Sequence, residues 1–402
     1  SGPHLLEPHR GKHVCLQVNA VMPCPKLGPA PTKFDEVCSR VAAMEPIMPI
    51  NPSYTAAANP CVASLIGVQP HCLPLIYVIS GWHMFSDESL GWLKTIDGVE
   101  TRSGPCFDDW PDDSGAARWV RAWEPMPQEG RVILAHCNKL LSWYPAFAGR
   151  YTSAWGKSYA PCKERSIAAL KPGEDYYRDR MWQVCRPQAL AAHDAAMGTG
   201  GVGLEATPPF VMRALYGERV RLVAALRSPV DRLETSFWVH AHYPRRYGAS
   251  AEGLHAYVTE QTAAFSECVG EHGARRCAFL FELLDRRYSD VFFHCDQIIR
   301  GLYHPFVEDW HAAFGSKALL VLRVEDLIER PAEARRSLVA FLGGAVSAAA
   351  ADAAPLPPRS YAALHAESLQ AAKAVPMRND TRRAAEAFYR PFNLALASLL
   401  GW

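Results

Sequence analysis

What the 402-residue sequence lacks narrows the field first. It has no excess charge of one sign: 42 Lys and Arg stand against 41 Asp and Glu, a formal charge of +1. A general nucleic-acid binder is usually basic, so no nucleic-acid partner is expected. No apolar run is long enough to cross a bilayer, and contact with a membrane is not expected of this chain. The most apolar run, LPLIYVISGW at 73–82, is about half the length required and follows Pro70 and His71. It reads as a buried strand. The twelve cysteines include no C-x-x-C pair, which argues against a structural zinc site. There is no G-x-x-x-x-G-K-[ST], which disfavours a nucleoside triphosphatase of the Walker type. No internal repeat and no clear linker divide the chain.

Twelve cysteines are nevertheless many for a reducing compartment, and 31 prolines point to long irregular connections. Cys268 and Cys277 bracket the turn-rich CVGEHGARRC, which a disulfide could staple. An oxidising, secretory setting is therefore expected. Ser1-Gly2-Pro3 reads as the remnant of a protease site, which leaves room for a native signal or anchor removed ahead of it.

Strand-like runs recur at 12–22, 73–80, 131–137, 220–226 and 317–327. Helical patterns follow at 32–44, 228–242 and 331–343, with further helices expected at 251–268, 296–314 and from Thr381 to the end. The alanine-rich stretch 345–358 reads as a loop, and 83–130 as part of a long insertion around 47–202. The alternation predicts an α/β, three-layer fold with a mostly parallel central sheet, in a single domain over 4–402. Ligands of such sheets bind at the carboxyl ends of the strands.

One strand end carries anion chemistry. In VRLVAALRSPVDRLETSFW (220–238) an apolar strand ends at Arg227 and hands over at once to a helix. Ser228 is a good N-cap and Pro229 suits the first helical position. Asp231 complements the helix dipole and is expected to close a capping-box-like exchange with Ser228. At helical spacing Ser228, Arg232 and Thr235 share a face. A cation, free N–H groups and a hydroxyl around one helix N-terminus suit a phosphate. The alternative is a surface arginine beside an ordinary capped helix.

A nucleotide needs a second anion loop, and VMPCPKLGPAPTKFDEV (21–37) offers one. Gly28 would let the backbone approach a ligand, Lys26 would supply a point charge, and Thr32 could cap the following helix. A Pro-rich surface turn with a solvated lysine is the alternative.

Together these loops resemble the sulfotransferases that use 3′-phosphoadenosine 5′-phosphosulfate (PAPS). GLEATPPFVMRAL (203–215), LRSPVDRLETSFW (226–238), VTEQTAAFSECV (258–269), residues 298–327 and FYRPFNLALASLL (388–400) are similar to the Golgi carbohydrate branch. The likeness is strongest to the N-acetylgalactosamine 4-sulfate 6-O-sulfotransferases and their algal-type relatives. It covers 203–400 well and 12–46 loosely. The resemblance implies a P-loop-like sulfotransferase fold, PAPS as co-substrate, the bisphosphate PAP as product, no metal, and a Golgi-lumenal setting. The acceptor it implies is a glycan, with a small-molecule alcohol and a non-catalytic nucleotide- or glycan-binding relative as rival readings.

The resemblance also implies roles. Arg227 with Thr235 or Ser236 holds the 3′-phosphate; Lys26 stabilises the leaving oxygen, with Lys33 as its stand-in. Glu45, in AMEPIMP, is the expected general base and Glu205 the second candidate. Lys373, Arg378 and Thr381 lie where the family folds a late loop over the nucleotide. Arg245, Arg246, Arg286 and Arg287 could meet a sulfated substrate. The sequence departs from the family at the first loop: Pro-Lys-x-Gly-Thr-Thr becomes Pro-Lys-Leu-Gly-Pro-Ala-Pro-Thr, two residues longer.

Overall fold

The computed structural model describes residues 59, 61–62, 71–81, 83–102, 131–137, 140–142, 153–197, 207–216, 219–353 and 360–402. The expected strand at 12–22 and helix at 32–44 lie outside them.

Two short strands, β1 (Cys61–Val62) and β2 (His71–Cys72), form an antiparallel ribbon. The main sheet begins with β3 (Ile76–Ile79), followed by α1 (Ser86–Leu90), β4 (Val99–Arg102) and β5 (Val132–Cys137). A helical excursion comes next: α2 (Ser153–Ala168), a π-helical stretch at Tyr176–Cys185 and α3 (Arg186–Met197). Then α4 (Pro208–Tyr216) leads into β6 (Arg221–Leu226), α5 (Pro229–Val239), α6 (His242–Tyr247), α7 (Ala251–His272) and α8 (Ala274–Leu284). Helix α9 (Tyr303–Ala318) runs into β7 (Leu319–Arg323), and α10 (Val324–Glu329), α11 (Pro331–Leu342), α12 (Tyr361–Ala371) and α13 (Asn379–Leu400) complete the chain.

The five-stranded sheet has the order β4-β5-β3-β6-β7, and every pairing is parallel. This is the α/β fold that the alternating runs predict. Strand alternation explains why the runs are continuously apolar. Tyr77, Ile79, Leu222, Ala224 and Leu226 join the core built with α5, α7, α9 and α13. Their neighbours Ile76, Val78, Val223 and Ala225 join a second core with α10 and α11 on the other face. Both faces are covered, so neither register position can be polar.

Several expectations shift. Residues 83–130, read as insertion, supply the edge strand β4. The helix expected over 228–242 breaks at His240, whose extended backbone separates α5 from α6. The one expected over 296–314 is divided into a turn at Asp296–Ile299 and α9. The run 317–327 changes state at Arg323, because Glu325 and Asp326 favour the first turn of α10. Ala348–Ala353, read as loop, is helical, as an alanine run permits.

Cys268 and Cys277 form the anticipated disulfide, with Cα atoms 6.0 Å apart, linking the end of α7 to α8. Cys162 and Cys185 form a second, between α2 and the π-helical stretch. Cys295 is buried and free. No helix among the described residues is long and apolar enough to cross a membrane.

Candidate active site

Strands β3 and β6 are neighbours, yet the chain leaves β3 towards β5 and β4 and leaves β6 towards β7. Their carboxyl ends therefore flank the switch point of the sheet, where the two departing loops diverge and open a crevice. One loop is Ser80–Phe85 and the other is Arg227–Ser228.

Arg227 is 1% exposed, a buried cation that survives because every side of its guanidinium is engaged. Nε donates to the Tyr361 hydroxyl (3.0 Å), Nη1 to the His83 carbonyl (2.8 Å), and Nη2 to Thr235 Oγ1 (3.3 Å). Nη2 also meets His365 Nδ1 at 2.6 Å, and the Phe85 ring stacks 3.9 Å from the guanidinium carbon. Ser228 caps α5, its hydroxyl accepting from the Asp231 N–H at 3.3 Å. The reciprocal half of the capping box is not made. The Ser228 N–H goes to the Glu325 carboxylate (2.8 Å), while Asp231 accepts from the Tyr361 hydroxyl (2.9 Å) and Arg382 (2.8 Å). Charged partners from other elements out-compete the local exchange.

Thr235 and Ser236 are separated by one helical step, and they serve different arginines. Thr235 faces Arg227. Ser236 accepts from Arg232 Nη1 (3.3 Å), and Arg232 also donates to the Gln297 side chain (3.0 Å) and backbone carbonyl. Arg232 and Thr235, predicted to share a face, are thus drawn apart by their partners.

Asp231, Glu234 and His365 offer ligand atoms within 4.8 Å of one another, and are the described residues that could hold a metal ion. Their carboxylates are already neutralised: Arg382 bridges Asp231 and Glu234 (2.8 Å each), and the Met377 N–H reaches Glu234 at 2.9 Å. Burial pushes the Asp231 carboxyl up, but hydrogen bonds from Arg382 and Tyr361 outweigh it and hold it below its ordinary value.

Across the crevice, His83 (φ 62°) and Phe85 (φ 52°) both take the left-handed conformation that glycine adopts at no steric cost. Such strain concentrates at functional loops. Ser80 Oγ and His136 Nε2 lie 3.2 and 3.0 Å from Ser86 Oγ, and His136 Nδ1 is 3.2 Å from Asp87. His83 Nε2 is 3.1 Å from His240 Nε2.

Burial, followed by the charges of Arg232, His240 and Arg227, lowers the His83 pKa to about 3. An unfolded histidine titrates near pH 6.5, so below that pH the unfolded chain takes up a proton that the folded one refuses. Stability contributed by neutral His83 is full above pH 6.5 and is lost as pH falls. Between pH 7 and 5 the loss is about 2 kcal/mol. Urea midpoints at the two pH values should differ less in His83→Gln than in the parent. Equal differences would refute it.

Lys26, Gly28, Thr32, Lys33, Glu45 and Glu205 lie outside the described residues. Lys373 is exposed, with a left-handed backbone (φ 53°). Arg378 is exposed and pairs with Asp380 (2.5 Å) and Glu252 (3.8 Å). Thr381 is buried against His255 Nδ1 (2.8 Å). Arg287 meets Glu267, Glu271 and Asp285, and Arg286 lies 3.4 Å from Asp290. These carboxylates already balance both charges. Arg245 and Arg246 are exposed and have no ion pair among the described residues.

Sequence reasoning missed His83, Phe85, Tyr361, His365 and Arg382. A signal for the first two was present: the apolar run at 73–80 passes through Gly81 to a serine at a helix start. For the other three there was none, since they come from α12 and α13, more than a hundred residues away. A cavity of about 350 Å³ adjoins the crevice, lined by Arg227, Ser228, Tyr303, Arg323, Glu325 and Trp402 among others.

No family model matches the chain. It is 27% identical to human "Carbohydrate sulfotransferase 15" over 202 residues, 48% of this chain and 32% of that protein. The mouse protein of the same name is 25% identical over the same length. The alignment thus spans about a third of the length of these curated relatives. A solved sulfotransferase from Alicyclobacillus acidocaldarius aligns with 82% of this chain and 96% of its own, at 15% identity and a TM-score of 0.42. The resemblance read from the motifs is therefore borne out: over about half its length the chain is a relative of the carbohydrate sulfotransferases.

Proposed function

We propose that the protein transfers a sulfuryl group from PAPS to a hydroxyl of a glycan, in the Golgi lumen. The observation that carries this reading is Arg227, fixed at the end of β6 beside the N-terminus of α5 and the Thr235 hydroxyl. That set of donors suits the 3′-phosphate of the nucleotide. Thr235 is the hydroxyl partner in this reading, and Ser236 acts through Arg232. Lys373, Arg378 and Thr381 belong to the segment entering α13, which would close over the nucleotide.

The second anion loop is Ser80–Ser86, across the switch point from Arg227. His83-Met84-Phe85-Ser86 then stands where the family spells Lys-x-Gly-Thr. The left-handed backbone of Phe85, where the motif has glycine, supports the match. Transfer is an in-line displacement dominated by positioning and electrostatics, as in phosphoryl transfer. A sulfuryl group carries less charge than a phosphoryl group, so the mechanism calls for no metal. Glu45 and Glu205 remain the candidates for taking the acceptor proton. Glu205 lies two residues before Thr207, whose hydroxyl donates to the buried Asp309 (2.7 Å).

Calorimetry with adenosine 3′,5′-bisphosphate and with ATP, and transfer of labelled sulfate from PAPS to chondroitin sulfate or to a simple phenol, test the reading. The bisphosphate should bind and ATP should not; label should enter the polysaccharide. Label entering the phenol alone would make the acceptor a small alcohol, and binding without transfer would make the protein a non-catalytic relative. No bisphosphate binding would end the reading altogether. Lys26→Ala and Lys33→Ala should each keep turnover within threefold. A collapse in either would return the anion loop to 21–37.

A further inference from the structure

The His83–His240 contact pairs two half-buried imidazoles, one on the loop that flanks the crevice and one at the carboxyl end of α5. Nothing in the sulfotransferase motifs calls for it. His83 sits in a left-handed turn whose carbonyl accepts from Arg227, so its ring is held on the nucleotide side of the switch point. Its Nε2 is occupied by His240 at 3.1 Å, and its Nδ1 has no partner among the described residues. His240 ends α5 and stacks near His242 (ring centroids 5.4 Å apart), whose ring in turn lies 3.9 Å from the exposed Phe293. A continuous line of rings thus runs from Arg227 to the surface.

We propose that His83 is a catalytic residue that hydrogen-bonds, through Nδ1–H, the bridging oxygen of the departing nucleotide, and that His240 is the positioning residue that fixes this tautomer. The inference rests on the sulfotransferase reading. His240 donates its Nε2 proton to His83 Nε2, which leaves the His83 proton on Nδ1, facing the crevice. As the bond from sulfur to the acceptor oxygen forms, the bond from sulfur to the bridging oxygen breaks. The electron pair stays on that oxygen, now part of the 5′-phosphate. The Nδ1–H stabilises it without being transferred. The acceptor proton goes to the carboxylate base.

A neutral donor fits its neighbours better than the lysine of the family motif. Arg227 at the end of β6 and Arg232 on α5 face His83 together with His240, and a third fixed cation there would be repelled by both arginines. Burial and these same charges keep the ring neutral, so it remains a donor across the working pH range. A neutral imidazole can polarise an oxygen in this way when its pKa is held low.

The test measures bisphosphate affinity by calorimetry and single-turnover transfer from PAPS to chondroitin sulfate, from pH 5 to 8. Variants are His83→Asn, His83→Phe, His240→Gln and His240→Phe. His83→Phe should bind the bisphosphate within threefold of the parent while losing transfer by about 10²–10³-fold, the usual effect of removing one such donor. His83→Asn keeps an N–H near the place of Nδ1 and should recover at least tenfold over His83→Phe. His240→Gln should resemble the parent, and His240→Phe should approach His83→Phe. The parent should show no change of transfer rate between pH 5 and 8 that vanishes in His83→Asn.

If the parent neither binds the bisphosphate nor transfers, the sulfotransferase reading falls and this inference with it. If the parent does both and His83→Phe transfers within threefold, only this inference falls. Should His83→Phe fail to fold, His83→Asn against His240→Phe decides: equal losses in both, or none in either, overturn it.

Discussion

Arg227→Ala is expected to weaken adenosine 3′,5′-bisphosphate binding by about thirtyfold or more. Truncating one member of a buried, hydrogen-bonded charged contact typically costs about 2–5 kcal/mol, and Arg227 is almost fully enclosed. The consequence extends beyond the ligand. The guanidinium ties the His83 carbonyl, Thr235, Tyr361 and His365 into one group, so its removal frees the loop after β3 from α12. Arg227→Lys keeps the charge but cannot span four partners with one ammonium, and should fall between the two. Calorimetry of the three proteins checks this. A dissociation constant for Arg227→Ala within threefold of the parent would place the 3′-phosphate elsewhere.

Asp309→Ala is expected to destabilise the fold by about 1–3 kcal/mol, because it removes the fully buried one of Arg275's two carboxylates and leaves the buried Thr207 hydroxyl without its acceptor. Asp309 on α9 is fully buried, pairs with Arg275 of α8 at 2.9 Å and accepts from the Thr207 hydroxyl at 2.7 Å. The Arg275 guanidinium also lies 4.5 Å from the Phe279 ring, which leaves it little access to water once the carboxylate is gone. Thr207 anchors the segment carrying Glu205, so transfer should fall at temperatures where the variant remains folded. Asp309→Asn, which keeps the shape and an acceptor for Thr207, should lose less. Urea unfolding of both variants measures the difference. A midpoint for Asp309→Ala equal to the parent's would mean that Glu308, already 3.4 Å from Arg275, compensates for the lost carboxylate.

Each prediction draws on a different range of the chain. Residues 220–238 state the surroundings of Arg227 almost completely, because a strand end, a cap and a hydroxyl two turns on are all local. Ser228 caps α5 and Thr235 reaches Arg227, as spacing alone requires. What spacing could not show is which hydroxyl serves which arginine. Ser236 serves Arg232, which is also held by Gln297, sixty-five residues beyond that arginine. The capping box fails for a similar reason: Glu325, Tyr361 and Arg382 arrive from α10, α12 and α13 and displace a neighbour in the same turn.

Short-range signals sufficed for the apolar runs that become β3, β5, β6 and β7, the start of α5, and the Cys268–Cys277 link. The placement of Ser80–Phe85 opposite Arg227, on which the proposed second anion loop rests, comes from the sheet order. From spacing, 21–37 reads better, since it carries a lysine and a glycine in the family's order. Sheet order makes Ser80–Phe85 the loop across the switch point, because β3 lies beside β6 and the pairing of parallel strands is set by which faces the helices can bury, not by motif order. Phe85 then adopts the backbone that sequence rules reserve for glycine. Packing against Arg227 and Tyr361 holds it there, and no local rule contains that energy.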